Sequence, residues 1–243
     1  MTMPTISHRD VLVAVVTYNE GEKLRRLVKR FPVPSDYHLI FIDDGSTDNS
    51  AEWLKSIGHH VIRQEQNSGV GASIRSAIAY GRNRGLSVIV IMAGNGKMLP
   101  EEIPRLVEPI LQDRADYVQG SRYLAGGQSP NLPVFRNLAI KLYTRLVNLV
   151  LGFKGTDVTC GFRAYRLDLF DKPDIDLNQK WLDRYEMEYY IHYKVAKRGH
   201  RMAEVPVSMV YPTDSKAYSK IRPFSGWWSM LRPWIFLLLR IRK

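Results

Sequence analysis

Three short polar clusters each follow an apolar run: Thr17-Tyr18-Asn19-Glu20 after VLVAVV, Asp43-Asp44 after LIFI, and Gly94-Asn95-Gly96-Lys97 after VIVIMA. Carboxylates suit hydroxyl and N–H donors such as those of a ribose and a base, and glycines let backbone amides approach phosphate oxygens. A lysine binds phosphate as a point charge. At the ends of strands these residue types suit a nucleotide-sized ligand. The Gly69-Val70-Gly71 turn is a weaker signal, because such spacing is common and lacks the full dinucleotide fingerprint. It also reads as a tight turn before a helix.

The elements that must position these clusters follow a regular alternation. Strand patterns over 11–18, 38–42, 60–63 and 87–92 alternate with helical ones over 20–30, 50–57, 72–84 and 100–113. A strand near Tyr117 and Val118, a helix over 184–198 and a strand over 202–210 continue the series. This order predicts an α/β fold with a doubly wound, mainly parallel sheet, in which ligands bind beyond the carboxyl ends of the strands. With no repeat or linker in the way, residues 1–212 read as one domain, and 213–243 as a basic loop and tail.

Taken in order, Thr17-Tyr18-Asn19-Glu20, Asp43-Asp44-Gly45-Ser46-Thr47-Asp48 and Asn67 with Gly69, Gly71 and Ala72 resemble the motifs of the family-2 glycosyltransferases, which have the GT-A nucleotide-sugar-binding fold. Gly120-Ser121-Arg122-Tyr123, Arg136-Asn137 and the stretch DVTCGFRAY from Asp157 to Tyr165 resemble the polyprenyl-phosphate branch, the dolichyl-phosphate mannose and glucose synthases. The resemblance covers about residues 10–212. It implies a UDP- or GDP-linked sugar as donor and a polyprenyl phosphate as acceptor. Tyr18, Glu20, Asp43 and Asp44, with Thr17 and Asn19 of the same motif, would hold base and ribose. Asn67, Gly69, Gly71 and Arg75 would shape the rest of the nucleotide pocket, with Gly94 and Asn95 at the next strand end. Arg122 and Arg136 would grip the donor diphosphate and the acceptor phosphate. Asp157, Gly161, Phe162 and Arg163 would lie near sugar or acceptor, although Phe162 also reads as core and Arg163 as a surface residue. Lys216 and Lys220 fall where the branch has a flexible basic loop, here without its usual glycine.

One departure from the family is specific. Where the resemblance implies an Asp-x-Asp motif binding Mg2+ or Mn2+, this chain has Ala93-Gly94-Asn95. Hard divalent cations take oxygen ligands, usually including a carboxylate, so a lone amide would hold one poorly. No cofactor is expected, with Mg2+ or Mn2+ left open. Lys97 would take the metal's place at the departing diphosphate, giving a catalytic set of Lys97, Arg122, Arg136 and Asp157. The bland alternative is an exposed turn lysine in an inactive binder.

The net charge of +11 lies wholly in the second half: residues 1–120 carry 14 Lys+Arg and 14 Asp+Glu, residues 121–243 carry 21 and 10. A basic half suggests a surface facing phosphates or an anionic membrane. The tail IRPFSGWWSMLRPWIFLLLRIRK has only a short apolar run, far from the ~20 residues of a span, flanked by tryptophans and arginines as in interfacial segments. A core-packing helix is the other reading of it. Residues 136–153 form a second amphipathic, basic candidate. One cysteine and a start without a signal-peptide pattern point to a cytoplasmic protein, peripheral on the inner face of the membrane. A hydroxyl acceptor with Asp183 or Glu186 as base, or a non-catalytic nucleotide-sugar binder, are the competing functions. Nucleic-acid binding is disfavoured, because the tail aromatics sit among Leu, Ile and Phe.

Overall fold

The computed structural model describes residues 6–31, 36–213 and 225–242, with side chains in the last segment described from Trp228 onward. Among these residues seven strands, β1 (Val11–Thr17), β2 (His38–Asp43), β3 (His60–Arg63), β4 (Val88–Ala93), β5 (Tyr117–Ser121), β6 (Arg163–Arg166) and β7 (Met202–Pro206), form one sheet in the order β3-β2-β1-β4-β6-β5-β7. Of these, β6 alone runs against its neighbours. Its sequence, RAYR, is short and charged at both ends, so no local pattern marks it as a strand. Pairing with β4 and β5 makes it one. The mainly parallel α/β sheet expected from the alternation is the observed architecture, with this one reversal.

Helices cover both faces, which is why the central strands are apolar on both sides. Along β1, Val11, Val13 and Val15 point into one core with Leu24 and Leu27 of α1 (Glu22–Val28), Leu54 of α2 (Ser50–Ser56) and Leu106 and Ile110 of α4 (Ile103–Leu111). Leu12 and Ala14 point into the other, with Ile74 and Ile78 of α3 (Val70–Asn83) and Tyr190 and Ile191 of α6 (Glu186–Lys197). The period-2 pleat therefore splits each strand between two cores.

A third cluster joins α5 (Val134–Leu151) and α7 (Ser225–Leu238) to α6 through Val147, Leu151, Tyr189 and Trp234. The Trp234 indole donates to Tyr143 Oη (2.6 Å), which donates to the Met230 carbonyl (2.7 Å). Glu186 is fully buried and accepts from Ser229 Oγ and the Arg232 guanidinium, latching α7 to α6. Core packing thus claims one face of the tail helix. Trp228, Leu231, Ile235 and Leu238 on its other face are exposed. So are Phe135, Leu138, Leu142, Leu146 and Leu149, which share one face of α5 at helical spacing. Among the described residues no helix is long and apolar enough to cross a membrane.

The start of α3 is pressed against the loop before α6. Ala72 N–H donates to the Asp183 carbonyl (3.0 Å), and a Cβ on Gly71 would overlap the Leu182 carbonyl oxygen. On Gly81, deeper in the same helix, a Cβ would meet Leu167 and Leu12 methyls at 2.9 and 3.1 Å. Side-chain ends shift easily, and the helix preference of alanine, about 1 kcal/mol over glycine, offsets much of that crowding. Backbone does not yield in this way, and overpacking typically costs about 1–3 kcal/mol. Gly71→Ala is therefore expected to lower the thermal unfolding midpoint clearly more than Gly81→Ala, followed by circular dichroism. The opposite order would contradict this packing.

Candidate active site

The strand register brings the polar clusters to one edge of the sheet. Thr17 lies opposite Asp43, and Val16 opposite Ala93, so β1, β2 and β4 end side by side. Because β6 is reversed, its first residue, Arg163, and the loop before it lie at that same edge, next to the ends of β5 and β7.

At the β1/β2 end, Thr17 Oγ1 and Asp43 Oδ1 are buried with no hydrogen-bond partner among the described residues. Buried polar atoms normally have partners. Asp43 uses its other oxygen to accept from Ser46 N–H (3.2 Å) and to face the Arg63 guanidinium (3.5 Å). Asp44 has a different task. Its carboxylate accepts from the backbone N–H groups of Ser68 and Gly69 (2.8 and 3.0 Å), closing the turn before α3. Loss of water raises its pKa, and those two amide bonds moderate the rise. Asn19, in left-handed conformation, ties its loop to Ser46 and Thr47. Tyr18 and Glu20 are half-buried beside it, and Asn67 is exposed.

Several residues expected to face a ligand face protein instead. Gly69 and Gly71 permit the approach of the Leu182–Arg184 backbone rather than of phosphate. Arg75 donates to the Leu177 carbonyl (2.6 Å) and pairs with Asp183 (2.8 Å), pinning that same loop. Arg163 is 1% exposed, and its guanidinium donates to the carbonyls of Val158, Cys160 and Glu188. It is neither a surface residue nor able to touch an acceptor. Its work is to shape the loop at 157–163. Phe162 is core. Lys216 and Lys220 lie outside the described residues, as do Arg222 and Lys243 of the tail.

Asp157 is fully buried and grips Arg122 with both oxygens, at 2.6 Å from Nε and 2.7 Å from Nη2. Both of its oxygens are thereby committed to protein donors. Burial alone would lower the Arg122 pKa, but the Asp157 bonds and charge hold it above the ordinary range. Glu204, from β7, fixes the loop from its other end by accepting from the N–H groups of Thr156 (2.7 Å) and Asp157 (3.1 Å).

Arg122 Nη1 donates to Tyr211 Oη (2.6 Å). Over the ring of the same tyrosine lie the Lys97 ammonium, 5.1 Å from its centroid, and the Arg136 guanidinium at 5.9 Å. Lys141 sits over Tyr123 at 5.3 Å. Lys97, Arg122 and Arg136, distant in sequence, are thus gathered around Tyr211. Tyr211 and Glu204 carried no motif that singled them out, whereas Tyr123 closes the Gly120–Tyr123 motif and Lys141 lies in the basic stretch 136–153. The only sequence signal for Tyr211 was its place just after a predicted strand.

The turn after β4 carries no carboxylate. Gly94 N–H donates to the Val16 carbonyl (2.7 Å), and a Cβ there would crowd Thr17. The Asn95 amide oxygen accepts from the Lys97 N–H (3.1 Å), and Ala93 offers no ligand. Among the described residues no group of three His, Cys, Asp or Glu side chains is placed to hold a metal ion. The two carboxylates considered as proton acceptors are also engaged, Asp183 with Arg75 and Glu186 with Arg232 and Ser229.

Residues 12–172 match the family model described as Glycosyl transferase family 2. The chain is 33% identical over 210 residues to an undecaprenyl-phosphate mannosyltransferase of Micrococcus luteus, covering 82% of this chain and 83% of the relative. It is 31% identical to a polyprenol monophosphomannose synthase of Mycolicibacterium smegmatis, covering 81% and 76%. Among solved structures, mannosyl-3-phosphoglycerate synthase from Rubrobacter xylanophilus superposes with a TM-score of 0.69 at 16% identity, covering 95% of this chain and 74% of that one. Glucosyl-3-phosphoglycerate synthase from Mycobacterium tuberculosis, in complex with Mn2+, UDP and phosphoglyceric acid, gives 0.65 at 18% identity, covering 95% and 77%. At such identities the structures speak for the fold, which is that of GT-A glycosyltransferases. The family match over most of the chain, the two relatives above 30% identity and the strand-end site agree: this protein belongs to glycosyl transferase family 2.

Proposed function

We propose that the protein transfers a sugar from a UDP- or GDP-linked donor to a polyprenyl phosphate held at an anionic membrane surface, on the cytoplasmic leaflet. The observation that carries this reading is the double character of α5. Arg136 joins the cation cluster from its first turn and Lys141 follows one turn later, while Phe135, Leu138, Leu142, Leu146 and Leu149 form an exposed apolar face on the same helix. A ligand with a phosphate head and a hydrocarbon chain matches both faces. Helix α7 carries an exposed apolar stripe of its own, with Arg240 and Arg242 beyond its end. Basic residues flanking shallow apolar faces suit an anionic interface. Residues 1–212 would then be the catalytic domain, and 213–243 a basic loop and interfacial tail.

The donor would lie across the β1, β2 and β4 ends. Asp43 Oδ1 and Thr17 Oγ1, buried and unpartnered, offer acceptors for a base N–H or a ribose hydroxyl. The diphosphate would reach Lys97. An acceptor phosphate monoester, with a second pKa of about 6, is already nucleophilic at neutral pH. Its oxygen would form the new bond to C1 as the bond from C1 to the diphosphate oxygen breaks, inverting the anomeric centre, and the electron pair leaves with the nucleoside diphosphate. No proton needs removing, which fits a site whose Asp183 and Glu186 are tied up in ion pairs. Positive charge from Lys97 and the arginines, rather than from a divalent cation, would stabilise the leaving group.

Purified protein incubated with polyprenyl phosphate and a panel of UDP- and GDP-sugars is expected to form glycolipid, read by mass spectrometry, at similar rates with Mg2+ and with excess EDTA. Product only with metal would overturn the metal-free reading. No product from any donor would overturn the acceptor.

The interfacial face gives a second test. Replacing Leu142 and Leu146 together by glutamate removes exposed apolar area and adds like charge toward an anionic surface. Sedimentation with phosphatidylglycerol vesicles is expected to show at least about tenfold weaker binding, and high salt should release part of the wild-type protein. Unchanged vesicle affinity of the double variant would rule α5 out as the docking face.

A further inference from the structure

We infer that Glu188 determines specificity for the transferred sugar, its carboxylate accepting hydrogen bonds from sugar hydroxyls; the assignment rests on the nucleotide-sugar donor proposed above. Of the carboxylates just before and within the first turn of α6, Asp183 is paired with Arg75 and Glu186 with Arg232. Glu188 differs from both. Its side chain is 16% exposed, and neither carboxylate oxygen takes part in a hydrogen bond among the described residues.

Gly161, in the 157–163 loop, faces this carboxylate. A Cβ on Gly161 would lie 3.0 Å from Glu188 Oε1 and 3.6 Å from the Met98 methyl, so the group sits between the loop that enters β6 and the turn after β4. Strands β4 and β6 are neighbours, with β1 and β2 beyond β4 on one side and β5 beyond β6 on the other. Glu188 therefore stands between the β1, β2 and β4 ends assigned to the nucleotide and the Arg122 and Arg136 side assigned to the acceptor. A sugar passing from one to the other must cross that position. Tyr185, whose pKa is raised by loss of water and then by the Glu188 charge, also feels Arg136, in keeping with this placement.

A neighbouring cation gives the carboxylate another task as well. Arg163 is buried, and its Nε lies 3.9 Å from Glu188 Oε1. That distance is too long for a hydrogen bond, so Glu188 offsets the charge through space. The Arg163 Nε, Nη1 and Nη2 groups donate to the carbonyls of Cys160, Glu188 and Val158. Charge balance thus leaves the lone pairs of the carboxylate open. An ionised carboxylate only accepts, and its two oxygens side by side match a pair of neighbouring ring hydroxyls. A site that hydrogen-bonds a substrate hydroxyl rejects analogues lacking it far better than an apolar pocket does. A phosphate acceptor brings no proton to remove, so the same carboxylate is not needed as a base.

Three substitutions separate sugar recognition from charge balance. Glu188→Asp keeps a negative charge for Arg163 but withdraws the oxygens by one methylene. Glu188→Gln keeps the shape and one acceptor, and Gly161→Ala crowds the carboxylate from the loop. Isothermal titration of the full chain uses the panel of UDP- and GDP-sugars, GDP-mannose and UDP-glucose among them, each beside its free nucleoside diphosphate. All three variants are expected to bind the nucleotide sugar about tenfold weaker than wild type, while UDP and GDP binding stays within about twofold. A monodeoxy analogue lacking the recognised hydroxyl should bind wild type weaker by a similar factor and lose no more in Glu188→Gln. Equal losses of nucleotide and nucleotide sugar would overturn the inference, since Glu188 would then serve only Arg163 and the loop. So would a Glu188→Gln protein that binds the donor normally but loses the acidic limb of its pH–rate profile, the signature of a base for a hydroxyl acceptor. A wild type that binds none of the panel would overturn the donor reading and this inference with it. Donor binding by wild type that none of the variants weakens would overturn this inference alone.

Discussion

The buried pair of Arg122 and Asp157 constrains everything around it. Taking a guanidinium and a carboxylate out of water costs several kcal/mol per ion, and their attraction offsets this only when geometry is good and the remaining valences are filled. Here they are filled by protein. Asp157 also accepts from the N–H of Arg122 and the hydroxyl of Thr159, and Arg122 also donates to Thr159 and Tyr211. Keeping Asp157 in place requires the loop at 157–163 to be rigid. Glu204 holds one end of that loop through backbone N–H groups and Arg163 holds the other through carbonyls. The Arg122 guanidinium is thus fixed by residues from elsewhere in the chain, Asp157, Thr159 and Tyr211 among them.

The reversed strand β6 serves the same end. Entered from the sheet edge where the other strands finish, it delivers the 157–163 loop to the ligand edge between β4 and β5. A wholly parallel sheet would have carried the start of that strand to the opposite edge, far from Lys97. The glycines of the α3 turn play a comparable part at the donor end. They let the Leu182–Arg184 backbone pack onto the helix start, and Arg75 clamps the loop there. The same loop leads into α6, whose Glu186 latches α7. The turn before α3 and the tail helix α7 are therefore both tied to the segment around Asp183–Glu186.

Charge and apolar surface are distributed with a matching logic. The amino-terminal half is electrically balanced and builds the edge where β1, β2 and β4 end, whereas the basic excess falls on the elements that carry Arg122, Arg136, Lys141 and the tail. Helices α5 and α7 bury one face against α6 and leave a leucine-rich face exposed.

Much of this was legible in the residues alone. Strand and helix alternation, the edge where the polar clusters gather, the missing carboxylates at 93–95 and the amphipathic stripe of α5 are all local patterns, set by a period of two or of about 3.6 or by residue type at a known position. What local pattern could not decide was which polar side chains face the ligand and which face protein. Arg163 and Arg122 look alike in sequence, yet one is spent on backbone carbonyls and the other supports a cation cluster. Tyr211 has no neighbours in sequence that mark it, because Arg122, its hydrogen-bond partner, lies 89 residues away. A buried hydrogen bond or ion pair is a property of two positions brought together by the sheet. Until the strand order is set, neither residue alone carries the information, so only the tertiary structure could assign those roles.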